Sequence, residues 1–250
     1  MLHCFSRYIF AGMKLDILAF ASHPDDVELG ASGTLLRHKA QGKKTGIIDL
    51  TRGELGTRGS AADRDREALD SAKLLGLDIR ENLSLRDGFF TKDESSLLKI
   101  IESIRAYRPE IVLANAVSDR HTDHGKGSSL VSEACFLSGL RKIESFRNGA
   151  VQDAWRPRAV YHYIQDRYIH PDLVVDISSH FEMKIAAIKM FRTQFYDPAS
   201  SEPDTPISSP AFLKFIEGRA REMGRIIGVE FGEGFTVERA AGINDLLELR

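Results

Sequence analysis

The chain has 250 residues and a mass of 27.9 kDa, enough for one large domain or two small ones. Its 42% hydrophobic and 28% charged content is that of a soluble globular protein and excludes wholesale disorder. Lys and Arg number 34 against 36 Asp and Glu, so no general positive field exists to draw nucleic acid, and no apolar run reaches the ~20 residues that span a bilayer.

In chain order, residues 1–12 (MLHCFSRYIFAG) lack the basic, apolar and small-residue regions of a secretory signal. They are read as an N-terminal extension of unknown role ahead of a domain spanning 13–250. Leu15–Ala21 and Thr45–Leu50 are short apolar runs of buried-strand type. Between them, residues 33–41 carry Leu35, Leu36 and Ala40 on a helical stripe that Gly42 terminates. Ser60 and Asp63 form a capping-box pattern for a helix ending near Gly76. A strand at Asn82–Leu85 precedes a helix at Glu94–Tyr107, stopped by Arg108-Pro109, and Ile111–Ala114 reads as the fourth strand. A helix after Gly125, strands at Ala159–Tyr163 and Leu173–Ile177, and a helix from Ser179 follow. The Pro/Ser-rich stretch Tyr196–Pro210 is a long loop, either a lid or a passive crossing. Ser209-Pro210 supplies a cap and first turn for a helix running to Gly228. This alternation predicts right-handed crossovers and a single Rossmann-like, three-layer αβα domain with a mainly parallel sheet. Two cysteines, Cys4 and Cys135, are too few for a disulfide scaffold or a thiolate zinc site, and a reduced, cytoplasmic protein is expected.

Ser22-His23-Pro24-Asp25-Asp26-Val27-Glu28 follows the first strand, at the sheet edge where open parallel sheets collect ligands. Imidazole and carboxylate both suit a divalent metal, although a Pro/Asp turn with a solvated histidine has the same composition. Asp119-Arg120-His121-Thr122-Asp123-His124 follows the fourth strand and opens on the same rim. A catalytic zinc needs three protein ligands and one open position, which His23, Asp26 and His124 supply. Asp25 and His121 then remain to move protons, with Asp123 orienting His121. Gly30 and Gly33 do not fit a dinucleotide fingerprint, and the neighbouring carboxylates repel phosphate.

The HPDD-x-E loop paired with a later H-x-D-H resembles the PIG-L/LmbE-like zinc deacetylase family. The resemblance runs from Met13 to the C-terminus and includes TRGE, LRDG and GVEFGEGFTVER. CFLSGLRKI, AVYHYIQDRYI and RTQFYDP are most similar to the N-acetylglucosaminyl-malate deacetylases of bacillithiol biosynthesis. The resemblance implies one zinc per chain, with ferrous iron the alternative, held by His23, Asp26 and His124. It further implies Asp25 as general base and His121, partnered by Asp123, as oxyanion stabiliser and proton donor. Arg64 and Asp87 fall on substrate-contacting positions, and Glu28 on a structural one. Tyr196 is the nearest candidate for the tyrosine that assists the oxyanion in some relatives, with a packed loop aromatic as the alternative.

The expected reaction is hydrolysis of the acetamide of an N-acetylglucosamine conjugate, with a protonated His121 facing the oxyanion. The expected partner is a small amino-sugar conjugate, without nucleic acid or membrane, and the resemblance implies a homo-oligomer. Arg64 would pair with the malate carboxylate, unless it forms a surface ion pair with Asp63 or Glu67. His162, His170 and His180 lack ligand spacing, Asp166-Arg167 reads as a solvated turn with pocket lining as the alternative, and Cys135 reads as a small core residue. A non-catalytic sugar- or nucleotide-binding module and a metal-assisted phosphoesterase are the competing functions.

Overall fold

All five residues of Ile17–Ala21 (β1) and all seven of Thr45–Thr51 (β2) are buried, so the sheet they build must be covered on both faces. The computed structural model describes residues 13–248; the extension at 1–12 and Cys4 lie outside the described residues. Chain order continues with Asp26–Ala40 (α1, between β1 and β2), Ala61–Leu75 (α2), Ile79–Leu85 (β3), Glu94–Tyr107 (α3), Ile111–Ala114 (β4) and Thr122–Leu137 (α4). A small hairpin, Phe146–Arg147 (β5) and Ala150–Val151 (β6), precedes Ala159–Tyr163 (β7) and Leu173–Asp176 (β8). Phe181–Ile188 (α5), Pro210–Ile226 (α6) and Gly232–Val237 (β9) complete the domain.

The strand order is β3-β2-β1-β4-β7-β9-β8. Pairs from β3 to β7 are parallel, whereas β9 runs antiparallel to both its neighbours. Alternate residues of β1 enter opposite cores: Leu18 and Phe20 pack with α3 and α4, while Ile17, Ala19 and Ala21 pack with α1. The chain winds outward from β1 to β3 and then returns to place β4 on the other side of β1. The loops leaving β1 and β4 therefore open together at the topological switch of the sheet.

Several elements depart from the sequence expectation for physical reasons. The first helix begins at Asp26 rather than near residue 33, because its opening turns are enclosed and carry no amphipathic stripe. A Cβ at Gly30 would lie 2.3 Å from Tyr163 and one at Gly33 2.8 Å from Ile177, so both glycines serve close packing. Ser209 occupies the N-cap of α6 without a side-chain capping bond, leaving Pro210 as the start signal. The Ser60–Asp63 capping box forms as expected.

Glu28 is structural. Its carboxylate accepts from Ser71 Oγ at 2.6 Å and from Arg80 Nη1 at 2.5 Å, and Arg80 Nε also donates to Asp49 Oδ2 at 2.8 Å. Burial pushes Asp49 up to about 6 even though Arg80 opposes the shift. This enclosed ion triad fastens α1, and the loop before it, to β2 and β3. Arg80→Ala leaves two buried carboxylates without their cation and is expected to cost about 3–5 kcal/mol in urea unfolding; a loss below about 1 kcal/mol would contradict this role.

Candidate active site

The loop after β1 turns sharply at Asp25, whose φ of 117° and ψ of −24° are strained for a residue with a side chain. The turn starts α1 at once and directs His23, Asp25 and Asp26 to one rim. The Asp26 carboxylate is the hub. Its Oδ2 accepts from the backbone N–H of His23 at 2.9 Å and from Asn115 Nδ2 at 3.0 Å. Its Oδ1 accepts from Gln165 Nε2 at 3.0 Å and lies 3.0 Å from His124 Nε2. Burial alone would raise its pKa, but His124 and His23 together hold it well below the usual carboxylate range.

Each flanking imidazole is gripped from behind by acid. His124 Nδ1 lies 2.5 Å from Asp119 Oδ2, so its Nε2 is turned toward Asp26, and Asp119 is itself fixed by the N–H of Arg167 at 2.7 Å. His23 Nε2 lies 3.0 Å from Asp87 Oδ1 and 3.4 Å from Asp123 Oδ2, with Nδ1 3.6 Å from Asp26 Oδ2. Burial disfavours charge on both rings, yet these carboxylates raise His124 to about 9 and His23 well above its ordinary value. The carboxylates of Asp26, Asp87, Asp119 and Asp123 crowd these two rings, a concentration of negative charge suited to a cation. Donor atoms of His23, His121 and His124 lie within 4.8 Å of one another, as do those of His23, Asp87 and Asp123.

Asp25 stands beside this cluster, buried, with Oδ2 4.0 Å from Arg64 Nη2. Burial lifts it to about 7, with Arg64 opposing and Asp26 reinforcing the shift. Arg64 is enclosed at the start of α2 and hydrogen-bonds Gln194 Oε1, while its Nε makes no hydrogen bond among the described residues. The alternative of a surface ion pair with Asp63 or Glu67 is thereby set aside.

Two sequence expectations are corrected here. The carboxylate of Asp123 accepts from Gly88 N at 2.8 Å, pairs with Lys126 and reaches His23; its residue meets His121 through the backbone N–H, 3.2 Å from Nδ1. Asp123 thus orients His23 more directly than His121. His121 was expected to be protonated, but burial and the charges on His23 and His124 lower its pKa. With Nδ1 accepting from Asp123, the neutral ring carries its proton on Nε2.

Asp87 lines the cavity, although both oxygens already serve the protein, one at His23 and the other accepting from Leu55 N at 3.0 Å. Tyr196 is 45% exposed and is not among the cavity-lining residues. His162 is buried against Ser128 and Glu238, whereas His170 is exposed and His180 half-buried; none lines the cavity. Cys135 is a buried free thiol in the core. Asn115 and Gln165 were not singled out from sequence, and Asp119 stood in the second polar cluster without a role. Asn115 and Gln165 are neutral amides without motif spacing, and only their places just after β4 and β7 could have marked them.

The groups converge on a cavity of about 310 Å³. Among the described residues, no helix is long and apolar enough to cross a membrane. Asp119→Ala removes one of the anions holding the proton on His124. In metal-free protein, its NMR-titrated pKa should fall from about 9 toward the ordinary histidine value; an unchanged titration would contradict the assigned contact.

Comparison with known proteins places the chain among deacetylases. The model of the PIG-L family, described as GlcNAc-PI de-N-acetylase, matches residues 18–135. Diacetylchitobiose deacetylase of Thermococcus kodakarensis is 30% identical over 190 residues, covering 72% of this chain and 70% of that protein. The uncharacterized deacetylase YaiS of Escherichia coli is 31% identical over 192 residues, covering 73% of this chain and 94% of that protein. The crystal structure of the conserved protein TT1542 from Thermus thermophilus superposes with a TM-score of 0.81 at 34% identity, covering 92% of this chain and 98% of that one.

Proposed function

The chain belongs to the PIG-L family, and from that premise we propose that it is a zinc-dependent N-deacetylase of an N-acetylglucosamine conjugate. The finer reading is N-acetylglucosaminyl-malate, giving acetate and the free amine for bacillithiol synthesis in the cytoplasm. One observation carries the catalytic reading: His23 and His124 are gripped by acids at one ring nitrogen and present the other to Asp26. A metal site with carboxylates behind its imidazoles has this arrangement. We assign His23, Asp26 and His124 as ligands, since the Asp26 carboxylate adjoins both rings and can balance a dication. His121, more open than the other two rings, is left to face substrate. Zinc and ferrous iron both suit this donor set.

When bound, the cation supplies Lewis acidity to water and to the amide carbonyl. Asp25, outside the ligand set, accepts the proton of the attacking water. His121 donates its Nε2 proton as a hydrogen bond to the developing oxyanion. The proton taken by Asp25 is returned to the amide nitrogen, so that an amine rather than an amide anion departs. Arg64 places an enclosed cation among the cavity-lining residues, beside Asp25, which suits the malate carboxylate. Asp87 retains lone pairs beyond its existing bonds and can accept from a sugar hydroxyl.

Acetate release from N-acetylglucosaminyl-malate, N-acetylglucosamine and diacetylchitobiose tests the activity and ranks the substrates. Malate-conjugate turnover at least tenfold above the others supports the finer reading, and a preference for diacetylchitobiose would overturn it. Asp25→Ala should keep its metal content while losing about 10²–10⁴-fold in kcat. Near-normal turnover would remove Asp25 as the base.

A further inference from the structure

The cavity has two chemically different ends. Loops and helix starts at the strand ends contribute its histidines and all its carboxylates but Glu233, together with Arg64 and Arg120. The opposite wall is built by Leu29 of α1, Ile164 after β7, and Phe212, Ile216, Ala220 and Met223 of α6. Ile164, Ile216, Ala220 and Met223 are buried, so this is a formed apolar recess continuous with the charged centre.

The two cations in this wall already have protein partners. Lys184 Nζ donates to Glu233 Oε1 and to the Leu29 carbonyl, each at 2.6 Å. Arg219 donates to the carbonyls of Gln165 and Asp166 at 2.6 and 2.8 Å and lays its guanidinium over Phe215 and Tyr168. A carboxylate or a ring of hydroxyls entering this end would lose water and find few partners. An alkyl chain would lose little and gain apolar contact.

A trans amide whose carbonyl faces His121, with the attacking water at Asp25, sends its two substituents in opposite directions. The sugar requires hydrogen-bonding groups and takes the end with Arg64 and Asp87. The recess is left to the acyl group, and acetyl offers it a single methyl. We propose that the apolar recess along α6 is an acyl-chain subsite, and that the protein is an N-deacylase accepting linear chains longer than acetyl. This rests on the amide-hydrolase reading above. The chemistry is the same hydrolysis: water gives OH to the acyl carbon and H to the nitrogen, yielding a carboxylic acid and an amine.

The test measures kcat/KM for N-acetyl-, N-butanoyl- and N-hexanoyl-glucosamine, in parallel with methyl, butyl and hexyl glycosides of N-acetylglucosamine. Each methylene buried in an apolar site improves binding by roughly threefold to fourfold. Hexanoyl should therefore exceed acetyl by at least tenfold, with the glycoside series flat. In Ala220→Leu, which narrows the recess, the hexanoyl-to-acetyl ratio should fall at least tenfold. The wild-type series decides the matter alone if that variant does not fold. Acetyl turnover without a hexanoyl advantage overturns the acyl subsite while leaving the deacetylase reading intact. A gain confined to the alkyl glycosides overturns it by assigning the recess to the aglycone. No amine release from any compound overturns both readings.

Discussion

The buried carboxylate of Asp26 is the contact on which the rest of the site depends. Four strand ends reach it or its partners: the loop after β1 carries it, Asn115 and His124 arrive from β4, Gln165 follows β7, and Asp87 follows β3 and steadies His23. An anion in a poorly polarisable interior must be met by donors or counter-charge, and here it receives three hydrogen bonds and two imidazoles. The sheet crossing at β1 and β4 brings these groups together. The ion triad of Glu28, Arg80 and Asp49 anchors the helix that Asp26 begins.

Adjacent aspartates have opposite electrostatic fates because their surroundings differ. Asp26 meets two imidazoles and is held ionised, whereas Asp25 meets mainly burial, relieved by one arginine at 4.0 Å, and is lifted to about 7. The strained φ at Asp25 separates the two side chains. One acid is thereby suited to a cation and the other to a proton, a division that the proposed hydrolysis uses.

The parallel half of the sheet and the convergence of its two polar loops were legible because short apolar runs, helical stripes and capping signals agree with one another. Strand β9 was not legible. Its sequence, GEGFTV, contains two glycines and an enclosed glutamate, and Glu233 is buried because Lys184 and the amides of Gly33 and Thr34 meet it. The start of α1 was hidden for a related reason: a helix enclosed on all sides needs no stripe. At the site, residue types announced the histidines and aspartates, but not which acid supports which ring. Asp123 lies two positions from His121 in sequence and still turns its carboxylate to His23, since the first turn of α4 directs it beneath the β1 loop. Asn115 and Gln165 carry no charge and no spacing, and only the folded chain reveals their hold on Asp26.

The central claim is that these opposed acids and imidazoles form a single cation site. Calorimetric titration of metal-free protein with zinc measures this directly, alongside His124→Ala. The account predicts one ion per chain for the unaltered protein and affinity reduced by at least tenfold in the variant. Failure of the unaltered protein to bind, or equal affinity in both, would contradict it.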